Sequence, residues 1–124
     1  MISIREQIYE ILGEINSNVT MTNPEDDDSG TVTELPLIVY AEIVNINRSK
    51  WLDEIQYQID VYDNDFIGAV ELMFQVDAAM RDLGFKRTYM SPDTNARQGK
   101  DLYKKVANYT GIVNTHDDTI VKGE

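Results

Sequence analysis

The chain has 124 residues, a formal net charge of -11 and no cysteine. This length is typical of one domain, and the 42% hydrophobic and 27% charged residues favour a folded globular chain over a disordered one. The missing cysteines exclude disulfides, thiolate metal sites and a cysteine nucleophile, and the acidic balance disfavours broad electrostatic binding to nucleic acid. Because no run of about 18 apolar residues occurs, we expect neither a transmembrane helix nor a membrane partner.

The first predicted element is a helix over residues 3–17. Its isoleucines and leucine recur at helical spacing and form one apolar stripe, and Ser3 with Glu6 has the spacing of a capping box. The stretch 18–34 that follows has no regular period and predicts a mobile, solvated loop. It carries five acids and no base: Glu25, Asp26, Asp27, Asp28 and Glu34.

This acidic loop is a poor calcium site. When Glu25 takes position 1 of an EF-hand loop, position 12 falls on Pro36, where a bidentate Glu is required. No helix is predicted directly after the loop. A solvated loop is therefore the favoured interpretation, with weak, nonspecific cation binding as the alternative.

Two strands joined by a turn are predicted next. Residues 35–47 are apolar on both faces at first, which indicates a central strand covered on both sides or one face buried in a partner. Residues 47–50 form a polar hairpin turn. Residues 51–62 alternate as a half-buried strand does. Its apolar face comprises Ile55, Tyr57, Ile59 and Val61, and its polar face comprises Glu54, Gln56, Gln58 and Asp60.

A second helix is predicted over residues 65–83, capped by Asp63 or Asn64 and ended by Gly84. Its predicted buried side consists of Phe66, Ala69, Val70, Met73, Phe74, Met80 and Leu83. Residues 85–90 and 101–113 predict two further strands around a turn-rich loop. Residues 114–124 predict a flexible tail.

The predicted order of elements is α-β-β-α-β-β. Short connections allow consecutive strands to pair. The order therefore indicates a single α+β domain over residues 1–124, with an antiparallel sheet and two helices packed on one face.

Motifs for catalysis are missing from the sequence. The single histidine, His116, lies in the predicted tail beside Asp117 and Asp118, and no Gly-x-Ser-x-Gly elbow is present to hold a serine nucleophile. No glycine-rich phosphate loop occurs. Among 22 acids many carboxylate pairs arise by accident, and nothing marks one pair as buried. We therefore expect no enzyme, no cofactor and no bound metal.

Basic residues concentrate in residues 85–105, where six bases oppose two acids and give a net charge of +4. The six bases are Lys86, Arg87, Arg97, Lys100, Lys104 and Lys105. Three interpretations remain open: a nucleic-acid site, a head-to-tail contact with the acidic surface of a second copy, or a solvated hairpin. Trp51, at the start of the second strand, is either an interface anchor or a core residue.

Several segments together have the order and spacing of a known family. They are ISIREQIYEILGEI at the start, LPLIVYAEI with Leu35 and Pro36, WLDEIQYQIDVYDND with Gln58 to Tyr62, a helix ending DLGF, and DLYKKVANYTGIV with Leu102 to Val113. In this order the chain resembles the tail terminator, or tail completion, proteins of long-tailed (siphovirus-type) phages. The resemblance covers most of the chain except the 18–34 loop and the tail.

The resemblance implies a structural protein of the virion, located at the tail–head junction after assembly in the host cytoplasm. Such proteins form a ring, usually a hexamer, that caps the tail tube, stops its polymerisation and meets the head-completion (connector) protein. DNA would pass through the ring without specific binding. Candidate interface residues are then Trp51 and the six bases named above, and candidate lumen or partner-facing acids are Glu25, Asp26, Asp27, Asp28, Glu54 and Asp60.

Two other functions remain as alternatives. A head-closure or neck adaptor would differ from a terminator only in its partner. A small acidic DNA-mimic inhibitor of a nucleic-acid-binding protein belongs to another class, and it would spread carboxylates over one face at phosphate-like spacing. Because the acids here are scattered and one segment is basic, the ring protein is the favoured prediction.

Overall fold

The computed structural model describes residues 4–16, 19–20, 36–91, 94–95, 103–117 and 119–121. The elements in these ranges are α1 (Ile4–Ile15), β1 (Val19–Thr20), β2 (Leu37–Ser49), β3 (Leu52–Asp63), α2 (Phe66–Leu83), β4 (Lys86–Met90), β5 (Thr94–Asn95), β6 (Tyr103–Asn114) and β7 (Thr119–Val121). Both predicted helices and all four predicted strands are present, as α1, α2, β2, β3, β4 and β6. The α+β class is therefore confirmed.

The sheet is arranged around a central pair, β3 and β6. Its strand order is β1-β2-β3-β6-β4, and β5 and β7 also pair with β6. Every pairing is antiparallel except that of β1 with β2, which is parallel. The two predicted strand pairs, β2 with β3 and β4 with β6, are both confirmed.

The core lies between one face of the sheet and the two helices. On β3, the predicted apolar face is buried, because Ile55, Tyr57, Ile59 and Val61 are each at most 2% exposed. The apolar stripe of α1 packs into the same core through Ile4, Ile8 and Leu12. Burying each large apolar side chain contributes roughly 1.5–3 kcal/mol, and this burial holds both helices on the sheet.

The ends of α2 are set by local hydrogen bonds. Asp65 is the N-cap residue, and its carboxylate accepts a hydrogen bond from the backbone N–H of Gly68 at 3.1 Å. The predicted caps, Asp63 and Asn64, are therefore wrong, and Asp63 instead accepts a hydrogen bond from the N–H of Asp65. Gly84 ends the helix as predicted, with a φ of 114° that favours glycine.

The buried side of α2 differs from the prediction. Phe66 and Phe74, predicted in the core, are 43% and 63% exposed, whereas Leu72 and Val76 are buried. The helix carries apolar residues around most of its circumference, so periodicity alone does not decide which flank meets the sheet. The contact centres on the arc that contains Met73, which is fully buried.

Three short strands lie in segments predicted to be irregular, and one of them, β5, falls in the predicted turn-rich loop and pairs Thr94 with Lys104. β1 falls within the predicted 18–34 loop and pairs Val19 with Ile38, and β7 falls within the predicted flexible tail and pairs Ile120 with Val113. Elements of two or three residues carry no period, and they form here because a long neighbouring strand offers backbone groups to pair. The acids of the predicted loop, Glu25–Asp28, lie outside the described residues.

Candidate assembly surfaces

The turn between β2 and β3 exposes apolar side chains at one end of the sheet. Trp51 is 46% exposed, and Ile43 and Ile46 are each 45% exposed. We refer to Ile46, Lys50 and Trp51 as the hairpin tip, whereas Ile43 lies farther along β2, opposite the middle of β3. The core interpretation of Trp51 is therefore wrong, and the interface interpretation stays a prediction. β2 is covered on both faces only over Leu37–Tyr40, so the predicted central strand is confirmed for its first part alone.

Contacts around Trp51 hold the hairpin tip in one conformation. The backbone N–H of Thr115 donates to the Trp51 carbonyl at 2.7 Å, and the His116 ring packs edge-on against the indole with centroids 4.9 Å apart. The Lys50 ammonium lies 5.1 Å from the centre of the indole ring. Trp51 is thus ordered in an exposed position, which lowers the entropy that docking on a partner would remove.

Among the described strands, the outer edge of β2 has a partner only near its start. Of the strands in the described ranges, only β1 pairs with this edge, at Ile38 and Val39. The register with β3 shifts between Glu42 and Val44, which places Ile43 in a bulge. Unpaired edges tend to associate with other chains, so the later part of β2 is a candidate for contact with another molecule.

A second exposed apolar surface lies on α2. Ile67 and Phe74 are 62% and 63% exposed, Phe66 is 43% exposed, and Val70 is half-buried. Their spacing places the four residues on one side of the helix, and we refer to them as the helix strip. The Phe66 ring packs edge-on against Tyr103 of β6, with centroids 5.7 Å apart. The strip therefore begins where α2 meets the sheet and continues along the solvent side of the helix.

A buried carboxylate ties α2 to the sheet. Asp77 is 9% exposed and accepts a hydrogen bond from the Tyr109 hydroxyl at 2.8 Å. Arg87 of β4 lies 3.3 Å from the same carboxylate and Arg81 of α2 lies 3.6 Å from it. Burial, reinforced by the hydrogen bond to Asp77, raises the pKa of Tyr109 well above its ordinary value. Asp77 was not among the residues predicted from the sequence, although an acid within the apolar face of a helix was a usable signal.

A similar arrangement ties α1 to the sheet. Glu42 accepts a hydrogen bond from the Tyr57 hydroxyl at 2.9 Å, and Arg5 Nε lies 2.9 Å from the same carboxylate. The pKa of Tyr57 is also raised, mainly by burial and to a smaller extent by the hydrogen bond to Glu42. Tyr57 and Tyr109 are direct partners across β3 and β6. Two adjacent tyrosines therefore fix both helices, and with them the helix strip, relative to the sheet.

The basic residues predicted as an interface do not share one surface. Lys104 and Lys105 are consecutive on β6 and project to opposite faces of the sheet. The Lys104 ammonium lies 3.9 Å from the Asp60 carboxylate, and Lys105 donates to the Ser91 carbonyl at 3.0 Å. Both ammonium groups are therefore engaged within the chain.

The remaining predicted bases differ in their surroundings. Arg87 pairs with Asp77 beneath α2, whereas Lys86 is exposed on β4. Arg97 and Lys100 lie outside the described residues. Among the described bases of this segment, Lys86 alone is exposed and has no ion pair with another described residue, so the described positive charges do not form one exposed patch.

The polar face of β3 lies on the side of the sheet away from the helices. Glu54 pairs with Arg48, whose hydrogen bond lowers the pKa of the Glu54 carboxyl. Asp60 is only 3% exposed, so its carboxylate does not face solvent as a lumen acid would. A cavity of about 340 Å³ opens beside Glu54, Gln56 and Lys86. On this face of the sheet, Glu54 is therefore partly exposed, whereas Asp60 is buried.

The described residues give no sign of a metal centre. Within these ranges, no group of three or more His, Cys, Asp or Glu side chains is placed to hold a metal ion. Of the two helices described, neither is long and apolar enough to cross a membrane. No protein-family model matches the chain, and no curated protein matches it in sequence.

Proposed function

We propose that the chain is a structural virion protein that forms a ring on the end of a phage tail tube, stops tube growth and joins the tail to the head. It acts through contacts with other proteins and not as an enzyme. Its partners are further copies of itself, the tail tube protein and the head-completion protein. It assembles in the host cytoplasm, and DNA passes through its centre without specific binding.

The observation that carries the proposal is the exposure of large apolar side chains at two separate places on one small domain. The hairpin tip and the helix strip include five side chains that are 43% to 63% exposed: Ile46, Trp51, Phe66, Ile67 and Phe74. Single exposed apolar residues are ordinary, whereas clusters that contain Trp and Phe are typical of protein interfaces. Two such surfaces suit a subunit with a neighbour on each side, as in a ring.

The order of elements also supports the proposal. The resemblance drawn from the sequence implies a helix, two strands, a second helix and two further strands. The structure has this order in α1, β2, β3, α2, β4 and β6. Fold alone does not establish function, so the exposed surfaces remain the main support.

A DNA-mimic inhibitor has less support. A mimic needs free carboxylates on one face, but four of the described acids pair with Arg or Lys of the same chain: Glu42, Glu54, Asp60 and Asp77. A head-closure adaptor would use similar assembly surfaces and would differ in its partner.

The test is light scattering after size-exclusion chromatography, with negative-stain images of the same fractions. We expect rings with a central hole and a mass near six subunits, either in the free protein or after addition of purified tail tubes. With tubes present, the chain should decorate one end and stop elongation, while tubes without it should continue to grow. A chain that stays monomeric and leaves tube growth unchanged would contradict the proposal.

A further inference from the structure

The hairpin tip and the helix strip have complementary properties. We infer that the hairpin tip of one copy docks on the helix strip of the next copy, with Trp51 as the anchor. This inference rests on the proposed function, because it names the contact between copies that would build the ring.

The two surfaces lie too far apart to meet within one chain. β3 separates them, and its 12 residues span about 40 Å. Trp51 directly precedes β3, and α2 begins three residues after β3 ends, so Phe66 and Ile67 lie at the opposite end of that strand. The hairpin tip and the start of the helix strip therefore do not cover each other within one chain. Because the two surfaces differ, their contact is head-to-tail, and such contacts close into a ring when the rotation per copy permits it.

Charge favours this pairing in a chain that otherwise repels its copies. A net charge of -11 opposes association of two copies in most orientations. The exposed base of the hairpin tip that has no ion pair with another described residue is Lys50, since Arg48 pairs with Glu54. Residues 63–74 beside the helix strip carry the exposed acids Asp65 and Glu71 and no base. Lys50 and Glu71 are both exposed. Approach of these two segments is therefore attractive, and it selects this orientation over others.

The side chains of the two surfaces also match in kind. Phe66 and Phe74 are eight residues apart, or about 12 Å along the helix, and the smaller, half-buried Val70 lies between them. Because Val70 is smaller than the two phenylalanines, we expect a shallow depression in the surface at the middle of the strip. An indole placed there would meet a phenyl ring on each side and remove aromatic surface from water on both partners. Trp51 is already ordered for this role by its contact with His116.

Cross-linking tests the contact directly, because the chain has no cysteine of its own. Ser49→Cys places a thiol beside the hairpin tip, and Ala78→Cys places one a turn beyond Phe74. Both variants therefore keep Trp51 and the four residues of the helix strip. With a short bismaleimide reagent, we expect the double variant to give a ladder of multimers. A mixture of the two single variants should give dimers, and each single variant alone should give almost none.

The matched control pairs Ser49→Cys with Thr88→Cys, since Thr88 is exposed on β4 and away from the strip. Cross-linking of this control at the level of the Ser49→Cys/Ala78→Cys pair would overturn the inference. Equal cross-linking within a single variant would do so as well, because it would show contact between like surfaces.

A charge swap provides an independent test. Lys50→Glu and Glu71→Lys should each weaken association about fivefold to tenfold, because each replaces attraction with repulsion between exposed charges. The double variant should recover most of the loss. Circular dichroism of each variant should match the parent, since both positions are exposed. Single variants that associate like the parent would overturn the inference.

The outcomes separate this inference from the proposed function. Rings that form without the Ser49→Cys/Ala78→Cys cross-link would overturn the contact and leave the ring protein standing. Open filaments that show the cross-link would retain the contact and contradict the ring. A chain that gives neither cross-link nor assembly, with or without tail tubes, would contradict both.

Discussion

The hydrogen bond between Tyr109 and Asp77 determines how firmly α2 is held on the sheet. We expect Tyr109→Phe to lower the free energy of unfolding by about 2 kcal/mol, because a hydrogen bond to a charged group contributes roughly 1.5–3 kcal/mol. The donor is fully buried, and the two oxygens are 2.8 Å apart. In a chain of 124 residues, this loss corresponds to a Tm lower by about 7 °C.

Tyr57→Phe is the matched control for this change. Tyr57 is buried to the same degree as Tyr109 and donates to Glu42 at 2.9 Å. The Glu42 side chain is 21% exposed, whereas the Asp77 side chain is 12% exposed. Solvent near Glu42 can replace part of the lost hydrogen bond, so we expect a smaller loss of about 1 kcal/mol.

The assay is urea unfolding at pH 7, followed by circular dichroism. It should be run at a protein concentration at which light scattering shows a monomer, because any assembly would add to the apparent stability. An unchanged m-value would show that both variants unfold from the same compact state. The stabilising role assigned to the Tyr109–Asp77 hydrogen bond would be refuted by either of two results. Tyr109→Phe could have the same free energy of unfolding as the parent, or it could lose less free energy of unfolding than Tyr57→Phe.

Three further predictions concern side-chain packing and buried tyrosines. Gly111→Ala should lower stability by about 1–3 kcal/mol in urea unfolding, because its Cβ would lie 2.7 Å from the buried Phe85 ring. Gly13→Ala should raise stability by about 0.5–1 kcal/mol, since nothing lies within 4 Å of its Cβ in α1, and the opposite ranking would contradict this packing. The raised pKa values of Tyr57 and Tyr109 predict that stability is intact below about pH 10 and falls above it, by about 1.4 kcal/mol per pH unit for each tyrosine. Urea midpoints between pH 9 and pH 11 should show this slope, and a Tyr57→Phe/Tyr109→Phe variant with the same slope would rule out these groups as its source.

The long elements were predictable because each has a clear hydrophobic period. The stripe of α1 repeats every three or four residues and the apolar face of β3 every two, and in both cases the structure buries those residues. β1 and β7 were not predictable, since two or three residues contain no full period. Their formation depends on the partner strand and not on their own sequence.

The candidate site was predictable only in part, because surface placement depends on register and packing. A count of charges along residues 85–105 does not show that Lys104 and Lys105 point to opposite faces. The same limit applies to α2, where Phe74 is as apolar as Leu72 and only contact with the sheet decides which is buried. Trp51 was identified from the sequence, but the sequence did not separate an exposed anchor from a core residue.

The later part of β2 and the hairpin tip combine features that oppose strand pairing with features that favour side-chain docking. A strand edge without a partner would add strands from any neighbour, and here the bulge at Ile43 together with the charges of Arg48 and Lys50 limits this. The same segment exposes Ile46 and Trp51, and side chains of this kind are suited to binding through surface complementarity and not through backbone hydrogen bonds. A contact of this kind is selective for one partner surface. The proposed ring requires such selectivity, because pairing through a bare strand edge would set no limit on the number of copies.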